Sequence, residues 1–89
     1  MACYIVSYDL RKPGRNYEKL YEGIQSYTTW AHINESLWAV VTASHTATQV
    51  RDYLSQFIDS DDRIFVIKSG VEAAWRQAMC KNEWLKEHL

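Results

Sequence analysis

The residues with the clearest capacity for chemistry follow the first apolar run of the chain. Asp9 ends that run, and the cations Arg11, Lys12, Arg15 and Lys19 come directly after it. Carboxylate oxygens bind hard cations such as Mg²⁺ or Mn²⁺, which stabilise charge developing on a phosphate and lower the pKa of water. Arginine and lysine contact the phosphates of RNA or DNA. The cluster predicts a phosphodiester site in which Asp9 is the catalytic group and metal ligand, and Arg11, Lys12 and Arg15 bind the nucleic-acid backbone.

Each of these residues also has an ordinary structural explanation. An aspartate after a strand often caps the following turn by accepting backbone hydrogen bonds. Small groups of cations are common on solvated loops. Open sheets with parallel central strands bind ligands outside the carboxyl ends of their strands, which is the argument for a ligand site at Asp9, and the capping role is compatible with it and slightly favoured. One carboxylate is a poor metal site, however, so a second Asp9 would have to come from a copy related by a two-fold axis.

Other residues able to bind metals or perform catalysis show no recognised motif. His32, His45 and His88 lie in unrelated segments without the spacing of a zinc site, and Cys3 and Cys80 are far apart in the sequence. The pattern favours two buried thiols and isolated histidines. The spacing of the tyrosines in the first predicted helix favours core packing over stacking on bases, and the same interpretation applies to the tryptophans.

An acidic segment near residue 60 contains Asp59, Asp61 and Asp62. It lacks the ligand periodicity and the terminal glutamate of a calcium-binding loop. We therefore interpret it as a solvated turn.

Length and charge restrict the class of protein. Eighty-nine residues predict a single domain over 1–89, because so short a chain cannot bury two cores. Ten basic against eleven acidic residues give a net charge of -1, which excludes a uniformly basic nucleic-acid-binding surface. No apolar run approaches the roughly 20 residues that span a bilayer, and the N-terminus does not resemble a secretory signal. These features predict a cytoplasmic protein with no membrane contact.

Hydrophobic periodicity predicts alternating strands and helices. Strands are expected at 3–8, 30–33, 37–42 and 64–67, and helices at 16–27 and 46–57. Thr46 and Gln49 have the spacing of a capping box at the start of the second helix. Ser69 and Glu72 form a similar pair and predict a C-terminal helical extension over 71–89. The unbroken apolar run 64–67 is typical of a strand covered on both faces.

This order of elements predicts an α+β protein of the ferredoxin-like βαββαβ type. Two right-handed crossovers joined by a hairpin give a four-stranded antiparallel sheet with two helices on one face, in which the first and third strands are central neighbours. A C-terminal helix follows. Because the strands carry apolar residues on both sides, the second face also needs a cover, and the C-terminal helix can hide only part of it. We therefore expect a homodimer.

Several motifs together resemble the CRISPR-associated Cas-two superfamily, and more closely the small SinR-type and VapD-like proteins of bacteria and phages. The resemblance covers most of the chain and rests on Ser7-Tyr8-Asp9-Leu10, Lys12-Pro13-Gly14, Tyr17, Leu20-Tyr21, Trp30, Ser36, Trp38, Ile58-Asp59 and Phe65-Val66-Ile67-Lys68.

The resemblance implies a ferredoxin-like homodimer in which Asp9 lies near its symmetry mate and binds a divalent metal. It also implies one of two activities. The first is metal-dependent cleavage of RNA or DNA with Mg²⁺ or Mn²⁺, and the second is a non-catalytic dimer that binds nucleic acid or a protein partner. The members of this superfamily that act in CRISPR spacer acquisition usually have a further strand here, which crosses to the partner subunit. Residues 71–89 have a helical pattern instead, so the dimer geometry is expected to differ.

Overall fold

The computed structural model describes residues 1–11, 17–70 and 72–89. Its elements are β1 (Ala2–Asp9), α1 (Glu18–Gln25), β2 (Thr29–Asn34), β3 (Leu37–Thr42), α2 (Ala47–Ser55), β4 (Arg63–Lys68) and α3 (Asn82–His88). The four strands form one antiparallel sheet. The predicted α+β class and the antiparallel sheet are therefore confirmed. Within the described residues, no helix is long and apolar enough to cross a membrane.

The sheet has the strand order β2-β3-β1-β4, so β1 and β3 are the central neighbours, as expected. Val6 pairs with Trp38 of β3 on one side and with Val66 of β4 on the other. Both of these pairings are antiparallel. The expectation of parallel central strands beside Asp9 is therefore wrong, and the end of β1 is not a ligand position of the parallel-sheet kind.

The first face of the sheet packs against α1 and α2. Its buried core consists of Tyr4, Val6, Tyr8, Trp38 and Val40 from the sheet with Tyr17, Leu20, Ile24, Val50 and Leu54 from the helical side. The predicted capping box opens α2, with Thr46 N–H donating to Gln49 Oε1 (2.8 Å) and Gln49 N–H donating to Thr46 Oγ1 (3.3 Å). This reciprocal pair satisfies amides that have no partner inside the helix.

Gly23 allows α1 to approach the segment that follows α2. A Cβ atom at this position would lie 2.7 Å from Cε2 of Phe57 and 3.4 Å from Cδ2 of Leu54. Glycine in a helix costs about 1 kcal/mol relative to alanine. At position 23 the absence of a side chain permits the close contact between α1 and the residues at the end of α2, in exchange for that cost.

The predicted helix over 71–89 is wrong for most of its length. The described residues 72–81 are not helical, and α3 begins only at Asn82. Met79 N–H instead donates to the carbonyl oxygen of Ile33 in β2 (2.8 Å), and Gln77 has a left-handed φ of 54° that interrupts a helix. Contacts with the sheet therefore replace the hydrogen bonds of the expected helix.

This C-terminal segment covers the second face over β1, β3 and β2. Leu85 is fully buried there against a cluster that includes Cys3, Ile33 and Ala39, and Trp75, Ala78, Cys80 and Trp84 pack around it. Burial raises the pKa of the Cys3 thiol to about 11. The expectation that the C-terminal residues hide part of this face is therefore correct, although most of the covering segment is not helical.

Strand β4 differs from the expectation of a strand covered on both faces. It lies at the edge of the sheet, where Phe65 is 62% exposed and Ile67 is 51% exposed. Ile64 and Val66 point to the opposite face and pack against the core beneath the helices. The periodicity could not show this difference, because a short apolar run looks the same in a central and in an edge strand.

Candidate nucleic-acid interface

The end of β1 brings one carboxylate between two guanidinium groups. Asp9 Oδ2 accepts a hydrogen bond from Arg63 Nη1 at 3.1 Å, and Arg11 Nη1 lies 3.8 Å from the same oxygen. All three side chains are exposed, Asp9 to 56% and Arg63 to 70%. Exposed ion pairs contribute little to stability. Asp61 lines the same cavity and Asp62 accepts a hydrogen bond from the Arg11 amide, so the described groups here are two guanidinium groups and three carboxylates.

The register of β1 and β4 places Arg63 in the site. Asp9 and Arg63 are direct partners in the antiparallel pairing. Arg63 is not among the predicted site residues, and 54 positions separate it from Asp9 in the sequence. No local signal could have found this contact, since it depends on which strands become neighbours and in which register.

Arg11 is fixed through its backbone, while its exposed guanidinium group is paired only loosely with Asp9. Its N–H donates to Asp62 Oδ1 at 2.8 Å. Lys12 and Arg15, the other two predicted backbone-binding residues, lie outside the described residues. Arg11, Asp61 and Arg63 line an open cavity of about 390 Å³ on this side of the molecule.

Asp62 joins three segments of the chain, so the interpretation of its neighbourhood as a solvated turn is wrong for this residue. Besides the Arg11 amide, it accepts a hydrogen bond from the hydroxyl of Tyr17 (3.1 and 3.2 Å to its two oxygens) and one from Asp59 N–H (2.9 Å). A carboxylate with several donors is a strong local organiser. The amide of Arg11, in the turn that Asp9 was expected to cap, thus donates to Asp62, which directly precedes the neighbouring strand β4.

A divalent metal fits this site poorly in a single chain. Among residues 1–11, 17–70 and 72–89, no group of three or more histidine, cysteine, aspartate or glutamate side chains is arranged to hold a metal ion. A cation at Asp9 would also have to compete with Arg11 and Arg63. Mg²⁺ bound by Asp9 would therefore need further ligands from water, substrate or a second copy of the chain.

A second cluster of polar and aromatic groups lies between β1 and the β2–β3 turn. Trp38 Nε1–H donates to the hydroxyl of Tyr8 (2.9 Å), which in turn donates to the carbonyl oxygen of Glu35 (3.2 Å). The ring of His32 stacks on Trp38 with centroids 3.9 Å apart and planes at 7°. Burial is the main cause that raises the pKa of Tyr8 to about 12. The predicted core role is correct for Trp38.

Trp30 is an exception to the prediction that the tryptophans pack in the core. Its ring centroid lies 5.5 Å from that of Trp38, but the side chain is 38% exposed on the outer edge of the sheet. No signal in the sequence separates these two tryptophans, since both belong to strand-like apolar runs.

The chain matches no family model and no solved structure. Its function is therefore inferred from the geometry at the end of β1, the exposed edge of the sheet and the sequence motifs.

Proposed function

We propose that the protein is a ferredoxin-like, Cas-two-like homodimer of the cytoplasm that binds the phosphate backbone of RNA or DNA at the end of β1. The observation that carries the proposal is the pair of exposed guanidinium groups, Arg11 and Arg63, on either side of Asp9. Guanidinium groups present several donors in a fixed plane that matches phosphate oxygens. Lys12 and Arg15 add two charges in the adjoining loop sequence.

Strand β4 supports the dimer. The pairing of Tyr8 N–H with Ser36 C=O and of Ser69 N–H with Cys3 C=O identifies which amides of β1 face each neighbour. Because successive residues of a strand direct their amides to opposite sides, the amides of β4 that do not face β1 lie at the open edge of the sheet. They belong to Ile64, Val66 and Lys68. An open edge with exposed apolar side chains favours pairing with another strand.

A second copy of the same strand fits this edge well. In an antiparallel pairing centred on Val66, each Ile64 lies opposite Lys68 and each Phe65 lies opposite Ile67 of the other copy, so no like charges face each other directly. The exposed side chains of Phe65 and Ile67 would then cover one another on the second face. The two sheets would form one continuous sheet of eight strands.

This dimer favours binding without catalysis. With a rise of about 3.4 Å per residue and a strand spacing of about 4.8 Å, the two Asp9 residues would be roughly 25 Å apart, too far to share one cation. Metal-dependent endonuclease activity is the second candidate. It is favoured by the exposure of Asp9 at a cleft of about 130 Å³ that Ser7, Arg63 and Phe65 also line, and it requires a face-to-face dimer that brings the two Asp9 side chains together.

Binding is tested with fluorescently labelled RNA and DNA over a range of salt concentrations. Arg63→Ala and Arg11→Ala should each weaken binding and lower the slope of log K against log salt by about one unit, since each removes one phosphate contact. Arg51→Ala is the matched control, because Arg51 is an equally exposed arginine paired with Asp52 on α2. Unchanged affinity and slope for the first two variants would overturn the proposal.

The triple change of Arg11, Lys12 and Arg15 to alanine tests the loop as a whole. It should flatten the salt dependence further than either single variant. If the triple variant binds as tightly as the wild type, the loop cations are ordinary surface charges.

Catalysis is tested by incubating RNA and DNA with the protein and Mg²⁺ or Mn²⁺. If Asp9 holds the metal, Asp9→Asn should lower cleavage by orders of magnitude while folding and dimerisation persist. Asp52→Asn is the control, because Asp52 is also an exposed carboxylate paired with an arginine. Absence of cleavage by the wild type, or equal cleavage by Asp9→Asn, would exclude the nuclease and leave the binding module.

The dimer is tested by light scattering at micromolar concentration, which should give about twice the 10.4 kDa mass of the chain. Phe65→Glu should shift the protein toward monomer, whereas Gln25→Glu, at an exposed position of α1, should not. A wild type that stays monomeric throughout this range would refute the dimer.

A further inference from the structure

The outer edge of β2 holds a second candidate site, distinct from the end of β1. A cavity of about 260 Å³ opens there between β2 and the C-terminal segment. It is lined by Trp30, Ala31, His32, Met79, Lys81 and Trp84, together with Cys80. Among the described residues, the lining is mostly apolar, with one cation and no carboxylate. Sites for drug-sized ligands measure about 300–1,000 Å³, so this cavity suits a single ring system.

The β2 side of the cavity is a rigid aromatic platform. One face of the His32 ring lies on Trp38, and His32 Nε2–H donates to Glu35 C=O at 3.1 Å. His32 is half-buried and lines the cavity, and its side chain lies on the same face of the sheet as that of its strand partner Trp38. Trp30 adds a second, exposed ring beside it. Ordered rings of this kind stack on a planar ligand at little entropic cost.

The opposite side is also held in place. Met79 N–H donates to Ile33 C=O (2.8 Å), which attaches the C-terminal segment to β2, and Trp84 Nε1–H donates to Thr29 Oγ1 (2.9 Å). Lys81 lies between these two anchors and is exposed at the rim. An ammonium group beside a stacking surface suits a ligand that carries an anion next to a planar ring.

The backbone of β2 supplies hydrogen-bonding groups as well. In an antiparallel sheet, successive residues of a strand direct their backbone N–H and C=O groups to opposite neighbours. Ala39 and Val41 of β3 direct theirs toward β2, where they pair with Ala31 and Thr29. Trp30 therefore directs its N–H and C=O away from β3, toward the open edge. A donor and an acceptor side by side can pair with the edge of a heterocyclic base.

We infer that this cavity binds a nucleobase, which stacks on Trp30 and His32 while Lys81 contacts the attached phosphate. The ligand is either a free nucleotide or one exposed base of a single strand, since both present a planar heterocycle next to a phosphate. The inference does not rest on phosphate binding at Arg11 and Arg63, because a free mononucleotide needs only the β2 edge.

The test is a titration of the ¹⁵N-labelled protein with AMP up to about 10 mM, followed by NMR. Saturable shifts should appear at the amides of Trp30, His32 and Lys81 and at the Trp30 indole. Trp30→Ala should weaken AMP binding by about tenfold, the effect expected from removing a stacking ring. Adenosine should bind Lys81→Ala and wild type equally, whereas AMP should bind Lys81→Ala more weakly. Lys86→Ala, an exposed lysine in the last turn of α3, is the matched control.

A hexamer of adenylate and an abasic strand of equal length distinguish the two sources of the base. Tighter binding of the hexamer than of AMP, lost in the abasic strand, assigns the site to single strands. Equal binding of AMP and the hexamer assigns it to free nucleotides. Absence of saturable shifts at Trp30 and His32 with both AMP and the hexamer would overturn the inference. If Trp30→Ala fails to fold, the Lys81→Ala variant provides the test. If this variant binds AMP and adenosine with equally weakened affinity, or binds both as the wild type does, the phosphate contact of Lys81 is refuted.

Discussion

Asp62 is expected to contribute much more to stability than its neighbour Asp61. Its carboxylate accepts hydrogen bonds from Arg11 N–H, the Tyr17 hydroxyl and Asp59 N–H. Asp62→Asn keeps the shape but replaces one accepting oxygen with an NH₂ group, so either the exposed Arg11 amide or the part-buried Asp59 amide loses its acceptor. Hydrogen bonds to charged groups contribute about 1.5–3 kcal/mol each. Because this site is only half-buried, we expect a loss of about 2 kcal/mol in the free energy of unfolding.

Urea denaturation measures this loss. With a slope of about 1 kcal/mol per molar urea for a domain of this size, the midpoint for Asp62→Asn should fall by about 2 M. Asp61→Asn removes the same charge from an exposed side chain and should change stability by no more than about 0.5 kcal/mol.

A double-mutant cycle with Tyr17→Phe identifies the contact responsible. Tyr17→Phe removes the hydroxyl alone and should cost about 1 kcal/mol. The double variant should lose less than the sum of the two single losses, because both changes act on one contact: the asparagine offers the Tyr17 hydroxyl a single, uncharged oxygen in place of the carboxylate. If Asp62→Asn is as stable as Asp61→Asn, or if the two losses are strictly additive, Asp62 does not organise these segments.

Three further predictions concern the core and the helices. Burial raises the pKa of Tyr8 and of Tyr27 to about 12, so the folded chain keeps these protons at a pH where the unfolded chain loses them. The free energy of unfolding should therefore fall as the pH rises from about 10 to 12. The fall should be less steep in the variants Tyr8→Phe and Tyr27→Phe, which lack the titrating hydroxyl. Thr46→Ala should cost about 1 kcal/mol by removing the cap of α2, and Thr48→Ala, within the exposed helix, should not destabilise it, as urea denaturation can show. Trp38→Phe should cost about 2–4 kcal/mol through lost volume and the lost hydrogen bond to Tyr8, and equal urea midpoints for variant and wild type would contradict the packing described for this residue.

The sequence by itself determined the elements whose signals are local. Short runs of aromatic, β-branched and other apolar residues defined the strands, and a 3.6-residue period defined α1 and α2. The spacing of Thr46 and Gln49 marked the start of α2. Their order along the chain was sufficient to predict an antiparallel sheet with β1 and β3 at its centre. It also identified Asp9 and Arg11 as neighbours at the end of a strand, because they are close in the chain.

Tertiary structure decided which distant residues meet. Arg63 reaches Asp9 only through the register of β1 with β4, and Asp62 reaches Arg11 and Tyr17 only because the loop before β4 lies beside the end of β1. The Ser69 and Glu72 pair predicted a helix from residue 71, but the described residues 72–81 are not helical. Contacts of the C-terminal segment with β2 and the second face outweigh a local preference of a few tenths of a kcal/mol per residue. The exposure of Phe65 and Trp30 likewise depends on edge positions in the sheet, which no local pattern records.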